Sequence, residues 1–388
     1  MNALELLEII GSGETSKVQF KQKLDNQDSF AAEMIAMSNS KGGIILVGVE
    51  DKIGKIVGLD YTELRKTNNL ISTIANDHIK PLIYITTEVV IICADNESKA
   101  HVLVVYVEEG TNKPYKDNKG AIWIKQGSDK RRVTDNNEII RLFQQSGSLN
   151  YDEMIVQGTT IADIDENKVR EYLDKIIDIK EVELNEVVYK NLNILKDNSL
   201  TLGGLLFFAK DPQKYKPAFC IKAVSFIGND SAGNSYRDSQ DIVGTIPHMF
   251  NGAISFLTRN LQHIQKEKNF NSVGDLEISR IALEELLQNA LTHRDYTKNS
   301  PIRLFIFDNR IEIISPGALP NSLTIENIKM GNAVVRNNLV VSYSSKLMNY
   351  RGVGTGVSRA LTEQPNIGLE NNVDGEQFKV IIPRPINR

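Results

Sequence analysis

An excess of positive charge is missing from this 388-residue chain: 45 lysines and arginines stand against 49 acids, a net charge of −4. Coating of nucleic acid by charge alone is thereby excluded, and any nucleic-acid surface must be local. No apolar run approaches the ~20 residues that a membrane-spanning helix needs. Residues 1–10 carry Glu5 and Glu8 and no basic start, so no signal peptide is expected. Cysteine is scarce. Cys93 and Cys220 lie far apart, each among apolar neighbours, which suits buried free thiols of a reducing, cytoplasmic compartment. The five histidines, His78, His101, His248, His263 and His293, show no zinc spacing with these cysteines. Neither a GxSxG nucleophile turn nor a GxxxxGK[ST] phosphate loop occurs. Repeats and low-complexity tracts are also lacking, and a chain of this length should form two or three domains.

What is present is concentrated near the C-terminus. Residues 283–296 read LEELLQNALTHRDY, in which Glu285, Asn289 and His293 fall four apart and so share one helical stripe. Ile281, Leu286, Leu287, Ala290 and Leu291 supply the apolar positions of a buried helix. A carboxamide oxygen can ligate Mg²⁺, a hard cation, while a carboxylate one turn away orients water or acts as a base. The same pattern also suits a helix whose polar residues only face water. Downstream, residues 302–314 alternate as a hairpin with Asp308-Asn309-Arg310 at the turn, ending at Ser315-Pro316-Gly317. Then Gly352, Gly354 and Gly356 precede a helical stretch at 358–363, an arrangement that lets backbone N–H groups approach an anion.

In this order the features resemble the divergent GHKL-type ATPase domain of bacterial predicted transcriptional regulators, sometimes labelled RecG-like. The matching positions are Glu285, Asn289, Ala290, His293, Arg294, Asp295 and Tyr296, then Pro316-Gly317, Arg336-Asn337 and Gly354-Thr355-Gly356. The resemblance implies that ATP and Mg²⁺ are cofactors, with Asn289 holding the metal and Glu285 orienting the attacking water as the catalytic residue. His293, Asp295, Ser315 and Gly317 would complete the cofactor site, and Gly352, Gly354 and Gly356 would cradle phosphates. Ser315 stands where well-characterised members carry an aspartate that reads the adenine amino group.

A second resemblance covers the N-terminal part. The stretch from Glu14 through Gln19 to Lys21, the Gly42-Gly43 turn into an apolar strand, the hairpin return at Gly58, Lys113-Pro114-Tyr115 and the strand at 122–125 resemble a Schlafen-type AlbA-like domain. That family implies nucleic-acid binding and, in some members, RNA cleavage by a carboxylate cluster. Here Glu14 is kept, but Gln19 occupies the second acidic position, so a nuclease is not expected. Lys125, Lys130, Arg131 and Arg132 surround Gly127-Ser128 and should project together from a turn onto a phosphate backbone, with Tyr115 or Trp123 free to stack on a base. The same loop could simply be solvated.

These readings give an α+β, multi-domain protein: an AlbA/Schlafen-like domain at 1–148, a helical and strand connector at 149–265, and a GHKL-like α/β sandwich at 266–388. An amphipathic helix is expected over 29–39, a strand over 203–209, and a helix over 243–265. Related chains often continue into a winged helix; with this sequence ending at Arg388, nucleic-acid contact is expected to rest on the N-terminal module. The function expected is that of a cytoplasmic, homo-oligomeric transcriptional regulator that binds nucleic acid, DNA ahead of RNA, and responds to nucleotide. The alternatives are a slow ATPase or a Schlafen-like RNase, and a nucleotide-sensing scaffold for protein partners.

Overall fold

A computed structural model describes residues 1–51, 53–93, 99–176, 182–231, 235–264, 274–320, 323–348 and 354–385. The chain is α+β and forms two compact units, Met1–Leu149 and Asn150–Arg388.

In the first unit, apolar residues on both sides of the central strands build a four-stranded sheet buried on both faces. Its order is Val18–Lys21, Gly43–Val47, Lys99–Val107, Ile85–Cys93, parallel in the first pair and antiparallel in the other two. Leu46, Val102 and Val104 pack with Leu6 of helix Ala3–Ser12. On the opposite face Ile45, Val47, Leu103 and Val105 meet Ile35 and Ile74, from helices Gln27–Asn39 and Tyr61–Asp77. Burying each such side chain stabilises by about 1.5–3 kcal/mol. The Gly42-Gly43 turn permits the parallel pairing: Gly42 has φ 68°, and a Cβ on Gly43 would sit 2.6 Å from the Lys17 carbonyl oxygen. The helix expected to be amphipathic over 29–39 is instead buried at every position from Phe30 to Asn39. Its polar side is covered by the hairpin of Trp123–Gln126 and Asp129–Arg132, which explains how Glu33 and Asn39 come to be inside.

The second unit is organised by a six-stranded sheet in the order Tyr236–Ile242, Ile221–Phe226, Ile302–Ile306, Arg310–Pro316, Gln377–Pro383, Gly368–Asn372. Only Ile221–Phe226 and Ile302–Ile306 run parallel. Alternate residues Ile302, Leu304 and Ile306, with Ile311 and Ile313, face a core shared with helices Ile246–Asn260 and Arg280–His293. The expected boundary between 149–265 and 266–388 is therefore not a domain boundary. The strand Ile221–Phe226 of the supposed connector pairs with Ile302–Ile306, a partner far along the chain that local composition does not reveal. A second correction concerns residues 203–209, expected as a strand. All but the last, the C-cap Ala209, belong to the buried helix Leu202–Phe208, capped by Thr201, whose hydroxyl accepts from Gly204 N at 2.9 Å. A short apolar run does not distinguish the two by periodicity. The turn at Asp197-Asn198 does form, with φ 48° and 61°, between two-residue strands. Among the described residues no helix is long and apolar enough to cross a membrane.

Candidate functional site

Helix Arg280–His293 presents its stripe to a cavity of about 130 Å³ in the second unit. Glu285, Asn289 and His293 form one wall, strand residues Ile313 and Ser315 the floor, and Gly354 to Val357 the facing edge. The Asn289 carboxamide makes no hydrogen bond among the described residues and opens into this space. Helix Gly356–Glu363 starts directly against it: a Cβ on Gly356 would lie 2.6 Å from Glu285 Oε2 and 3.3 Å from Asn289 Nδ2. Its first-turn N–H groups and positive end therefore meet the carboxylate and carboxamide at close range. Gly354 has φ 77°, and a Cβ there would collide with the Gly331 carbonyl.

The cavity also holds two arginines that were not singled out as site residues. Arg359 Nη2 lies 2.6 Å from Glu285 Oε1, and Arg336 Nη2 donates to the Ala318 carbonyl at 2.8 Å. Arg359 follows Gly356 by three residues, so the spacing alone places both on one helical face. Ser315 lines the floor and its hydroxyl donates to the Ala290 carbonyl at 3.2 Å, leaving its lone pairs to accept. Gly317, with φ 102°, is required by packing, because a Cβ would fall 2.5 Å from Asp295 Cβ and 2.7 Å from Arg336 Nη1.

Some expectations need correction. Asp295 is not on the cavity wall. Its carboxylate accepts from Thr297 N at 3.0 Å and Thr297 Oγ1 at 2.6 Å, and its own N–H bonds Pro316 O, so it fixes the exit of the site helix. Ile281, expected in the buried stripe, is 49% exposed, because helix packing covers the opposite side of that first turn. Gly352 and the side chain of Cys93 lie outside the described residues. Cys220 is a buried free thiol, and burial raises its pKa.

The four cations of the first unit do not project together. Lys125 and Lys130 occupy strands of the hairpin turning at Gly127, whose φ is 61°. The Lys125 side chain is 1% exposed, and its Nζ donates to Glu33 at 2.7 Å, Gln19 Oε1 at 3.0 Å and Ser128 O at 2.6 Å. Lys130 binds the other Glu33 oxygen at 2.9 Å, and Arg131 pairs with Glu138. Only Arg132 of the four is exposed and without a carboxylate partner among the described residues. The expectation failed because an inward-facing acid, Glu33, lies 92 and 97 residues upstream of its lysines. Tyr115 is buried and so is not free to stack, while the Trp123 indole donates to Asp117 at 3.0 Å. Glu14 accepts from Phe20 N at 2.9 Å and from Gln19.

Residues 14–135 match the family described as "Schlafen, AlbA_2", and residues 299–382 the one described as "Putative ATP-dependent DNA helicase recG C-terminal". The chain joins a Schlafen AlbA_2 domain to a recG C-terminal, ATPase-like domain. Glu285 and Asn289 precede the second matched segment; Ser315, Gly317, Gly354 and Gly356 lie inside it. Among solved structures, the chain is similar to the DIP2311 protein of Corynebacterium diphtheriae, at 20% identity over 99% of this chain and 80% of that one, with a TM-score of 0.49. No curated protein matches.

Two buried groups give the unit that holds the ATPase-like domain an opposed pH dependence. Burial, then the charge of Arg336, pushes His293 down to about 4, so it is neutral at pH 7. Burial pushes Asp152 up to about 6; one oxygen accepts from Val340 N at 3.0 Å and the other has no hydrogen-bond partner among the described residues. Between about pH 4 and 6 the folded chain keeps the Asp152 proton that the unfolded chain has lost, so stability falls as pH rises. His293 acts in the opposite sense, because there the unfolded chain holds the extra proton, and stability rises from about pH 4 to 6.5. Asp152→Asn removes the first effect alone. Its stability relative to wild type should therefore grow by up to about 3 kcal/mol between pH 4 and pH 7. Urea unfolding of both proteins at the two pH values measures this, and a pH-independent difference would contradict it.

Proposed function

We propose that the cavity of the second unit binds a nucleoside triphosphate with Mg²⁺, and that the AlbA_2 domain contacts nucleic acid, so that the protein is a nucleotide-responsive, nucleic-acid-binding regulator of the cytoplasm. The observation that carries this reading is Asn289: a carboxamide without a hydrogen-bond partner among the described residues, set in a cavity against the glycine-bounded start of a helix. An amide oxygen suits Mg²⁺, which keeps several waters and is held largely through substrate phosphates. In keeping with that, no group of three or more His, Cys, Asp and Glu among the described residues could cage a metal by itself. The N–H groups at Gly356 and Val357 suit phosphate oxygens. Ile313, Leu369, Phe378 and Val380 offer apolar walls for a base, with the Ser315 hydroxyl oriented to accept from an amino group. When bound, Mg²⁺ would neutralise phosphate charge; the chain itself positions the phosphates and excludes water.

Slow hydrolysis is the second reading, and one observation bears on it. Glu285 is the carboxylate placed to orient water, yet it is held by Arg359 at 2.6 Å. A carboxylate oxygen occupied by a guanidinium is not open to an attacking water, so a binding role ranks ahead of turnover. On the AlbA_2 domain, Arg132, Lys17 and Lys41 are exposed cations without carboxylate partners among the described residues. They replace Lys125 and Lys130 as the phosphate contacts we propose.

The test is calorimetry with Mg·ATP, combined with binding of duplex and single-stranded DNA at two salt concentrations, with and without nucleotide. Wild type should bind Mg·ATP, and its DNA affinity should fall with salt and shift when nucleotide is added. Asn289→Ala should lose Mg-dependent nucleotide binding by at least ~100-fold, keep its thermal stability, and lose the nucleotide effect on DNA. A wild-type protein that binds no nucleotide at millimolar concentration would refute the reading.

A further inference from the structure

We infer that Arg359 is the residue that recognises the terminal phosphate of the bound nucleotide and gives the site a preference for triphosphate over diphosphate; this rests on the nucleotide reading above. Glu285 and Arg359 meet across the two helices that frame the cavity, Arg280–His293 and Gly356–Glu363. Both side chains line it, beside Asn289 and the Gly354 to Val357 edge. Counted along the site helix, Glu285 lies one turn beyond Asn289, about 6 Å of rise. With a base against Ser315 and the phosphates at the Gly356 helix end, which meets Glu285, the last phosphate of a nucleotide held through Asn289 would lie near Glu285, whose carboxylate would repel it.

Arg359 removes that conflict. A guanidinium has five N–H donors in a planar fork and bridges two anions, one on each edge. One terminal nitrogen already serves Glu285, Nε has no hydrogen-bond partner among the described residues, and the side chain as a whole is 36% exposed. The second terminal nitrogen makes no hydrogen bond among the described residues and is the donor available to an added oxygen. The pair as a whole is close to neutral, whereas the phosphate beyond it adds negative charge. A charge-assisted bond from Arg359 to the terminal phosphate is the interaction that balances the site. Arg336 lies at the other end of the stripe, beside His293 and Ala318, and so does not duplicate this role.

The experiment measures calorimetric affinities of the full chain for Mg·ATP and Mg·ADP, using the wild type, Arg359→Ala, Arg359→Lys and Glu285→Gln. Wild type should prefer the triphosphate by about tenfold or more. Arg359→Ala should weaken Mg·ATP by ~10–100-fold while leaving Mg·ADP within about threefold, and Arg359→Lys should recover part of the loss. Glu285→Gln, which removes the repelling charge, should tighten Mg·ATP and not Mg·ADP. The ADP affinity is the control for folding, and if Arg359→Ala does not fold, the lysine and glutamine variants decide. Equal weakening of both nucleotides by the arginine variants, or no weakening of ATP, overturns the role of Arg359 alone. A wild type that binds neither nucleotide overturns the nucleotide reading and this inference with it.

Discussion

Gly356→Ala is expected to abolish nucleotide binding, by ~100-fold or more, while leaving stability within about 1 kcal/mol of wild type. The two effects separate because of where the methyl group goes. Gly356 does not occupy the left-handed region, so alanine fits its backbone, and alanine favours a helix over glycine by up to about 1 kcal/mol. The new Cβ, however, would stand 2.6 Å from Glu285 Oε2 and 3.3 Å from Asn289 Nδ2. Neither contact involves backbone, so the fold yields at little cost by turning the carboxylate and carboxamide away. The carboxamide is the group on which the proposed site depends, and the methyl would also occupy the space through which phosphate oxygens would reach the helix N–H groups. Calorimetry with Mg·ATP and a thermal melt measure the two quantities. Binding retained within a few-fold would mean that phosphates do not approach this helix end.

The stripe of Glu285, Asn289 and His293 was legible because it depends on one periodicity within one helix, and the same holds for the hairpin of Ile302–Ile306 and Arg310–Pro316. Glycine positions 354 and 356 were legible too, since a Gly-rich entry to a helix has a local chemical reason. Arg359 was less so, although its three-residue offset from Gly356 carried the information. What sequence did not show were partners distant along the chain. The strand Ile221–Phe226 closes the sheet against Ile302–Ile306, and nothing near either segment announces the other. Asp295 looked like a ligand by its place beside His293. Its short side chain instead turns back to Thr297, a local bond that competes with any outward role.

The basic hairpin illustrates the same limit with a larger energetic consequence. Four cations within eight residues read as a phosphate-binding turn until Glu33 is placed beneath them. Glu33 is 3% exposed and receives Lys125 at 2.7 Å and Lys130 at 2.9 Å. Removing one partner of a buried pair leaves an uncompensated charge and typically costs about 3–5 kcal/mol. Lys125 keeps Gln19 Oε1 and Ser128 O as neutral acceptors, which argues for the lower end of that range. Glu33→Ala should therefore destabilise the AlbA_2-containing unit by about 3 kcal/mol, lowering its melting temperature by roughly 6–12 °C. Lys125→Met should cost less, about 1–2 kcal/mol, because its chain volume is preserved and Glu33 retains the partly exposed Lys130. Differential scanning calorimetry with DNA binding on the same samples separates structure from contact. If Lys125→Met melts like wild type but binds DNA several-fold more weakly, Lys125 reaches the phosphate backbone after all. If the predicted order of stabilities holds and Lys125→Met binds DNA as the wild type does, the lysine is a strut beneath the hairpin, and phosphate contact falls to the exposed cations Arg132, Lys17 and Lys41.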